Sequence, residues 1–255
     1  MTTNPAAPAQ DAEHWAGVAA DWITWARTPG HDAFWAYRDA FAAFVGPGSG
    51  PAADIGCGEG RQSRLLSELG YEVTACDPVA AMLDAARASD SATTYHQAPA
   101  TALPLADGAC GLTLLYNCLM DIEAAEAALV EAARVTAPDG RLILSIVHPV
   151  ADLRAACQDR GLDGVDYFAN RAFSAIAEDN GLQMHFSGWA RPLGFYIAAL
   201  NAAGLQITGF CEPPASRDPA YDRHARWRRL PLFLWIEAKH PRAELADRHK
   251  TDTTS

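Results

Sequence analysis

The residues with the clearest chemical potential lie in the stretch AADIGCGEGR, residues 52–61. Gly56, Gly58 and Gly60 follow a strand-like run and precede a helical pattern. Glycine tolerates positive φ and has no Cβ, so a ligand can approach the backbone and the N–H groups of the helix N-terminus. The spacing therefore predicts a ligand-binding turn. The alternative is a purely structural role, in which the glycines allow the helix to pack closely on the strand.

Two acidic residues accompany the turn. Asp54 lies two positions before Gly56, and Asp77 ends the predicted second strand. A carboxylate at the end of that strand can accept hydrogen bonds from both hydroxyls of a ribose, and it can also cap the helix that follows Pro78. A dinucleotide site would have the pattern GxGxxG, whereas this chain has GxGxG. The pattern thus favours a nucleoside ligand of another class.

Strand and helix patterns alternate with short loops between about residues 50 and 150, which predicts a doubly wound α/β domain. An aromatic helical segment precedes this region, and a long mixed segment follows His148. We expect the following organisation: residues 1–12 disordered, 13–48 a helical cap or lid, 49–150 the cofactor-binding half of the core, 151–190 an acceptor-binding insertion, 191–240 a helix and the last two strands, and 241–255 a tail.

The segment GCGEG, with Asp54 before it, closely resembles motif I of the class I S-adenosylmethionine-dependent methyltransferases. TALPLADGACGLTLLYNCLMDI and AARVTAPDGRLILSIVHP are similar to the fourth-strand and fifth-strand regions of that family. The resemblance implies a Rossmann-like, mostly parallel, seven-stranded sheet with helical additions before the first strand and after the fifth. It also implies S-adenosyl-L-methionine as cofactor and S-adenosyl-L-homocysteine as product.

The resemblance assigns roles to individual residues. Asp54 would orient the methionine end of the cofactor by holding its ammonium, often through water, and Asp77 would bind the ribose. Many members carry an acid where this chain has Pro99, so adenine is expected to contact backbone groups and apolar walls instead. The predicted cofactor-binding residues are Asp54, Gly56, Cys57, Gly58, Gly60, Asp77, Pro78, Ala100, Thr101 and Tyr116.

The acceptor side is less clearly marked. His148 ends the fifth strand on the same rim as the cofactor, and histidine is a residue type that can accept a proton near neutral pH, as a general base must. The alternative is a histidine that only shapes the pocket. Aromatic residues of the N-terminal helices and of the later insertion are expected to form a lid, with Tyr167, Phe168, Phe173 and Phe186 among the candidates. The predicted substrate-binding residues are Trp22, Trp25, Tyr37, Asn117, His148, Trp189 and Arg191.

Composition limits the partners. The formal net charge is −11, which disfavours nucleic acid and anionic membranes, and no apolar run is long enough to span a bilayer. The six cysteines lack metal-binding spacing, so no metal site is predicted. We expect a cytoplasmic monomer or homodimer.

Taken together, these features predict an enzyme that methylates a small, partly apolar acceptor through oxygen, nitrogen or carbon. The alternatives are a protein of the same fold that binds S-adenosylmethionine without methyl transfer and, less favoured by the GxGxG spacing, a nicotinamide-dependent oxidoreductase.

Overall fold

A computed structural model describes residues 8–241 of the 255-residue chain. Nine strands are present in this range. Their bounds are β1 Pro51–Ile55, β2 Glu72–Asp77, β3 Thr94–Gln97, β4 Cys110–Tyr116, β5 Thr136–Val147, β6 Arg171–Asp179, β7 Leu182–Ala190, β8 Gln206–Cys211 and β9 Phe233–Lys239. Seven of them form one sheet in the order β3-β2-β1-β4-β5-β9-β8, and β6 pairs with β7 in a separate hairpin. The predicted seven-stranded, mostly parallel sheet is confirmed.

Seven α-helices accompany the sheet within the described range, together with short 3-10 helices. Their bounds are α1 Pro8–Arg27, α2 Arg38–Val45, α3 Arg61–Glu68, α4 Ala80–Ala88, α5 Ala125–Val135, α6 Pro149–Arg160 and α7 Leu193–Ala202. One hydrophobic cluster packs α5 and α7 on one face of the sheet, through Leu129 and Leu200 for example. A second cluster packs α2 and α3 on the other face, through Phe41 and Leu66. Both faces are therefore covered, as parallel sheets require.

The strand directions bring the predicted residues to one rim. Strands β1 to β5 run parallel, whereas β9 is antiparallel to both β5 and β8. The carboxyl ends of β1, β2, β4 and β5 consequently meet at one edge of the sheet. In such sheets ligands bind beyond this edge, next to the point where the strand order reverses.

The N-terminal helix starts earlier than predicted. We expected disorder over residues 1–12, but α1 begins at Pro8, so the prediction is wrong for residues 8–12, while residues 1–7 lie outside the described residues. Asp11 explains part of this order, because its Oδ2 accepts a 2.8 Å hydrogen bond from the backbone nitrogen of Glu123. The expected tail lies outside the described residues from 242 onward.

The insertion after β5 is only partly helical. Helix α6 is followed by the β6–β7 hairpin, so the predicted helical insertion is wrong for residues 171–190. Asn180 and Gly181 form the two-residue turn with φ values of 50° and 76°. An Asn-Gly pair favours this type of hairpin turn because both of its central residues need positive φ. In residues 8–241, no helix is long and apolar enough to span a membrane.

Candidate functional site

A cavity of about 690 Å³ lies over the carboxyl rim of the sheet and reaches from the glycine turn to the hairpin. Ten of the residues predicted to bind cofactor or substrate line it. They are Trp22, Gly56, Cys57, Gly58, Asp77, Pro78, Ala100, Thr101, Tyr116 and Asn117. The cavity walls thus include most of the predicted cofactor site and part of the predicted acceptor site.

The three glycines of the turn have positive φ but different surroundings. A Cβ on Gly56 would lie 2.7 Å from Cβ of Cys118, and one on Gly60 would lie 2.3 Å from Oγ of Ser91. A Cβ on Gly58 would meet only Nε1 of Trp22, at 3.5 Å. Gly56 and Gly60 therefore permit close packing, whereas Gly58 leaves its backbone open toward the cavity. Gly60, predicted to touch the cofactor, does not line the cavity.

Asp77 connects the turn to the next strand. Its Oδ2 accepts a 2.9 Å hydrogen bond from the backbone nitrogen of Gly58, and its Oδ1 accepts one of 2.9 Å from Val79. Burial raises the pKa of this carboxyl to about 6, while the two backbone hydrogen bonds oppose the shift. Each oxygen keeps a further lone pair, so the ionised carboxylate can still accept hydrogen bonds from two hydroxyl groups.

Asp54 lies behind the turn rather than in the cavity wall. Its Oδ2 accepts a 2.6 Å hydrogen bond from Oγ of Ser63, and burial raises its pKa to about 7. Its side chain is not exposed to the cavity. Through Ser63, Asp54 fixes the start of α3 to the end of β1, and its implied hold on a cofactor ammonium, often through water, stays a prediction.

The wall on the β2–β3 side is apolar. Val79 and Met82 line it from the start of α4, and Pro99, Ala100 and Thr101 line it from the loop after β3. A largely apolar wall of this kind suits a planar base. The contact of adenine with backbone groups and apolar walls stays a prediction.

The opposite part of the cavity is aromatic. The rings of Trp22 on α1 and Phe186 on β7 meet edge to face at 6.2 Å, and Phe173 and Phe233 add further aromatic wall. Tyr116 ends β4 there; burial raises the pKa of its phenol, and its hydroxyl has no hydrogen-bond partner in the described part of the chain. The phenol is therefore a protonated donor that remains available.

His148 is not in the cavity wall. Its Nδ1 accepts a 3.0 Å hydrogen bond from the backbone nitrogen of Val150, which makes it the N-cap of α6. Since Nδ1 accepts, Nε2 carries the proton, and Nε2 lies 2.8 Å from Oε1 of Glu212. Both ring nitrogens are occupied, so the predicted general base is corrected to a structural cap.

Arg191 also has a structural role. Its guanidinium donates to the backbone oxygens of Leu119, Ile122 and Glu123 at 3.0, 2.6 and 3.1 Å. Three carbonyls thus use the donors that were expected to hold a substrate. Arg191 lies outside the cavity wall and supports the segment after β4 that helps to form it.

Three predicted aromatic contacts are corrected as well. Tyr37 is fully buried and packs edge to face on Phe233 with ring centroids 4.9 Å apart. Trp25 is buried against His31, and Trp189 lies beside the guanidinium of Arg191. None of the three lines the cavity. Of the lid candidates in the insertion, Phe173 and Phe186 line it, whereas Tyr167 and Phe168 do not.

Sequence reasoning missed several polar residues of the cavity. Arg61, the first residue of α3, binds Oδ1 of Asp32 at 3.0 Å and lies over the ring of Trp22 at 4.9 Å. Asp152, in the first turn of α6, and Arg171, at the start of β6, also line the cavity. The Asn-Gly pair could have revealed the hairpin that carries Arg171, but no local motif marks Asp152.

The cavity wall has an acidic excess. Six carboxylates and two guanidinium groups line it, and the carboxylates are Asp11, Asp32, Glu59, Asp77, Asp121 and Asp152. Glu59 is neutralised by Arg27 and Arg64, both 2.9 Å from its Oε2, and Asp32 by Arg61. Burial raises the pKa of each remaining carboxyl group, which reduces its negative charge near neutral pH.

The segment that carries the glycine turn and the predicted cofactor-binding residues matches a known family. Residues 53–144 match the family described as "Methyltransferase domain". A malonyl-(acyl-carrier protein) O-methyltransferase of Serratia marcescens is 36% identical over 115 residues, which are 42% of this chain and 44% of that protein. The chain therefore spans less than half the length of this curated relative.

Solved structures extend the similarity in fold. An S-adenosylmethionine-dependent methyltransferase of Mesorhizobium loti superposes with a TM-score of 0.60 at 21% identity, covering 82% of this chain and 98% of that one. A 1,6-didemethyltoxoflavin-N1-methyltransferase of Burkholderia thailandensis, solved with bound 1,6-didemethyltoxoflavin and S-adenosylhomocysteine, superposes with a TM-score of 0.59 at 17% identity. The match covers 94% of both chains.

Proposed function

We propose that the chain is a class I S-adenosylmethionine-dependent methyltransferase that methylates a small, partly apolar acceptor, since residues 53–144 match a methyltransferase domain family. The observation that carries the proposal is one continuous cavity. It joins Gly58 and Asp77, at the predicted cofactor site, to the aromatic wall of Trp22, Phe173 and Phe186. Methyl transfer needs donor and acceptor side by side, and one continuous cavity can hold both.

The residues present fit the cofactor. The open backbone at Gly58 allows close approach, and Asp77 can accept hydrogen bonds from the ribose hydroxyls. Gln62, buried beside the turn, lines the cavity with an amide that has no hydrogen-bond partner within residues 8–241. A buried amide without partners is costly unless a ligand or water satisfies it. S-adenosylmethionine supplies an electrophilic methyl group on a positively charged sulfur, which suits the acidic cavity.

We further propose that α1 and the β6–β7 hairpin act together as the lid. His14 on α1 lies 3.1 Å from the backbone oxygen of His185 on β7, and Trp22 meets Phe186. The same ring of Trp22 approaches Gly58 on the cofactor side. A lid of aromatic residues can exclude water and hold an apolar acceptor at the same time.

Calorimetric titration of the purified protein with S-adenosylmethionine, S-adenosylhomocysteine and NAD tests the cofactor part. We expect micromolar binding of both sulfur compounds and none of NAD. Failure of both to bind would overturn the proposal. A Gly58→Ala variant should bind both sulfur compounds less tightly than the unmodified chain. Its Cβ narrows the open part of the turn, and positive φ disfavours alanine.

A tritiated-methyl assay with an acceptor collection tests transfer itself. We expect labelled product with at least one small acceptor that has an apolar body. Tight S-adenosylmethionine binding without transfer to any acceptor would favour the alternative, a protein of this fold that holds the cofactor without using it.

A further inference from the structure

Asp152 is a carboxylate in the cavity wall with no bonded partner. It lies in the first turn of α6 and is half-buried. Within residues 8–241, it makes neither a side-chain hydrogen bond nor a salt bridge; its pKa responds only to burial and to the charge of Arg171. Its carboxylate therefore keeps its acceptor sites for a ligand that enters the cavity.

The surroundings of Asp152 define the type of ligand. The positive charge of Arg171 on β6 acts on Asp152, and the pKa of Tyr196 on α7 is raised by burial and, in turn, by the charge of Asp152. The cavity that Asp152 lines also has aromatic wall from Phe173 and Phe233. A positive group between a carboxylate and aromatic rings gains from both.

Arg171 does not neutralise Asp152 directly, since the described residues include no salt bridge between them within 4.0 Å. Nε of Arg171 is buried and has no hydrogen-bond partner in the described part of the chain. His148, the N-cap of the same helix, is bound to Val150 and Glu212 and does not line the cavity. Among the described side chains of α6, Asp152 is the carboxylate that lines the cavity.

We propose that the acceptor is an amine, and that Asp152 binds its ammonium form and removes a proton from it. This inference rests on the proposed methyl transfer. An ammonium nitrogen has no lone pair, so it must lose a proton before it can be methylated. The proton passes to the carboxylate of Asp152, and the nitrogen keeps the electron pair of the N–H bond. That pair forms the N–C bond to the methyl group, while the sulfur keeps the electrons of the S–C bond that breaks.

Burial raises the pKa of Asp152 to about 7, and the positive charge of Arg171 opposes the shift. A base of this strength can accept a proton near neutral pH and release it again. Below pH 7 the carboxyl becomes protonated and loses its attraction for an ammonium. Binding of an amine is thus expected to weaken as pH falls through about 7.

Three probes of similar shape test the inference: phenethylamine, phenethyl alcohol and phenylacetate, each titrated by calorimetry into the protein saturated with S-adenosylhomocysteine. For the unmodified chain we expect phenethylamine to bind at least ~10-fold more tightly than the alcohol, as a charged hydrogen bond provides. In Asp152→Asn the preference for phenethylamine over phenethyl alcohol should disappear, and the binding of phenethylamine should no longer weaken below pH 7. Asp139→Asn, which replaces an exposed carboxylate near the start of β5, is the control and should behave like the unmodified chain.

Transfer to phenethylamine is measured with tritiated-methyl donor. We expect Asp152→Asn to lower kcat/KM by ~100-fold or more, in the range of general-base contributions. Equal binding of amine and alcohol by the unmodified chain, or no binding of the amine, would overturn the inference. So would an undiminished amine preference in Asp152→Asn. Tighter binding of phenylacetate than of phenethylamine would also overturn it and would assign acceptor recognition to Arg171.

Affinity for S-adenosylhomocysteine separates the two proposals. If the product binds to the unmodified chain and to Asp152→Asn alike, both are folded, and a missing amine preference counts against the amine alone. If S-adenosylhomocysteine binds to neither protein, the result contradicts the proposed function itself.

Discussion

The backbone nitrogen of Gly58 donates a 2.9 Å hydrogen bond to Oδ2 of Asp77, so the turn after β1 is fixed by the last residue of β2. One carboxylate thus shapes the backbone of the turn and faces the cavity that the turn borders. Loss of its charge is expected to affect both the shape of the turn and the recognition of ribose.

Replacement of Asp77 by asparagine should weaken binding of S-adenosylhomocysteine by about 1–3 kcal/mol at pH 8, because it removes a charged acceptor. In the unmodified chain, affinity should decrease as pH falls through about 6, where this carboxyl becomes protonated, whereas the variant should show no such step. Calorimetry at pH 5 and pH 8 measures both effects. Asp84→Asn, exposed on α4, is the control; a loss of affinity there, or none in Asp77→Asn, would contradict the assignment.

Asp54 provides a test on stability. Its pKa is raised by burial from 3.8 to about 7, so the folded chain binds more protons than the unfolded chain between these values. Stability contributed by this group is therefore present at low pH and lost as pH rises toward 7. Between pH 5 and pH 8, the free energy of unfolding of Asp54→Asn should rise by about 1–3 kcal/mol relative to that of the unmodified chain, since asparagine carries no buried charge.

Urea unfolding of both proteins at the two pH values measures this difference. The oxygen of asparagine can still accept from Ser63, so the local hydrogen bond is preserved. A difference that stays constant between pH 5 and pH 8 would show that Asp54 titrates normally.

His148 should behave as a cap and not as a base. His148→Ala should lower the free energy of unfolding by about 1 kcal/mol through loss of the N-cap bond to Val150. His148→Asn retains a capping oxygen, so its free energy of unfolding should fall by less. Both variants should keep their affinity for S-adenosylhomocysteine and, at saturating acceptor, their rate of methylation. A large loss of rate in a stably folded His148→Asn would restore the general-base hypothesis.

Arg191 should matter for stability. Arg191→Met leaves the carbonyls of Leu119, Ile122 and Glu123 without their donors, which should cost about 1–3 kcal/mol. Arg38→Met is the matched control, because Arg38 pairs with Asp39 and Glu68 at the surface and should contribute about 1 kcal/mol or less. Thermal unfolding of the two variants compares them; equal melting temperatures would refute the structural role of Arg191.

The sheet and the glycine turn could be predicted from sequence because their causes are local. Positive φ at Gly58 and the ending of β2 at Asp77 follow from residue type and strand pattern within a few positions. Even so, the pattern could not distinguish Gly58, which is open to the cavity, from Gly60, whose neighbour Ser91 is distant in sequence.

The acceptor side could not be predicted in the same way. His148 meets Glu212, 64 positions away, and Arg191 meets carbonyls about 70 positions away. Contacts of this range depend on how whole elements pack, so residue type alone suggested chemistry that the tertiary structure gives to capping and backbone support. The hairpin is different: its Asn180-Gly181 turn was visible in the sequence.

The matched segment ends at residue 144, before α6 and the hairpin begin. Gly58, Asp77 and Thr101 lie inside it, whereas Trp22, Asp152 and Phe186 lie outside. If the proposed function holds, mutations in α6 or the hairpin should change which molecule is accepted and leave Gly58 and Asp77 unaltered. Such a division would make the chain a natural starting point for selecting new acceptor preferences, by varying these two stretches while the proposed nucleoside site is kept.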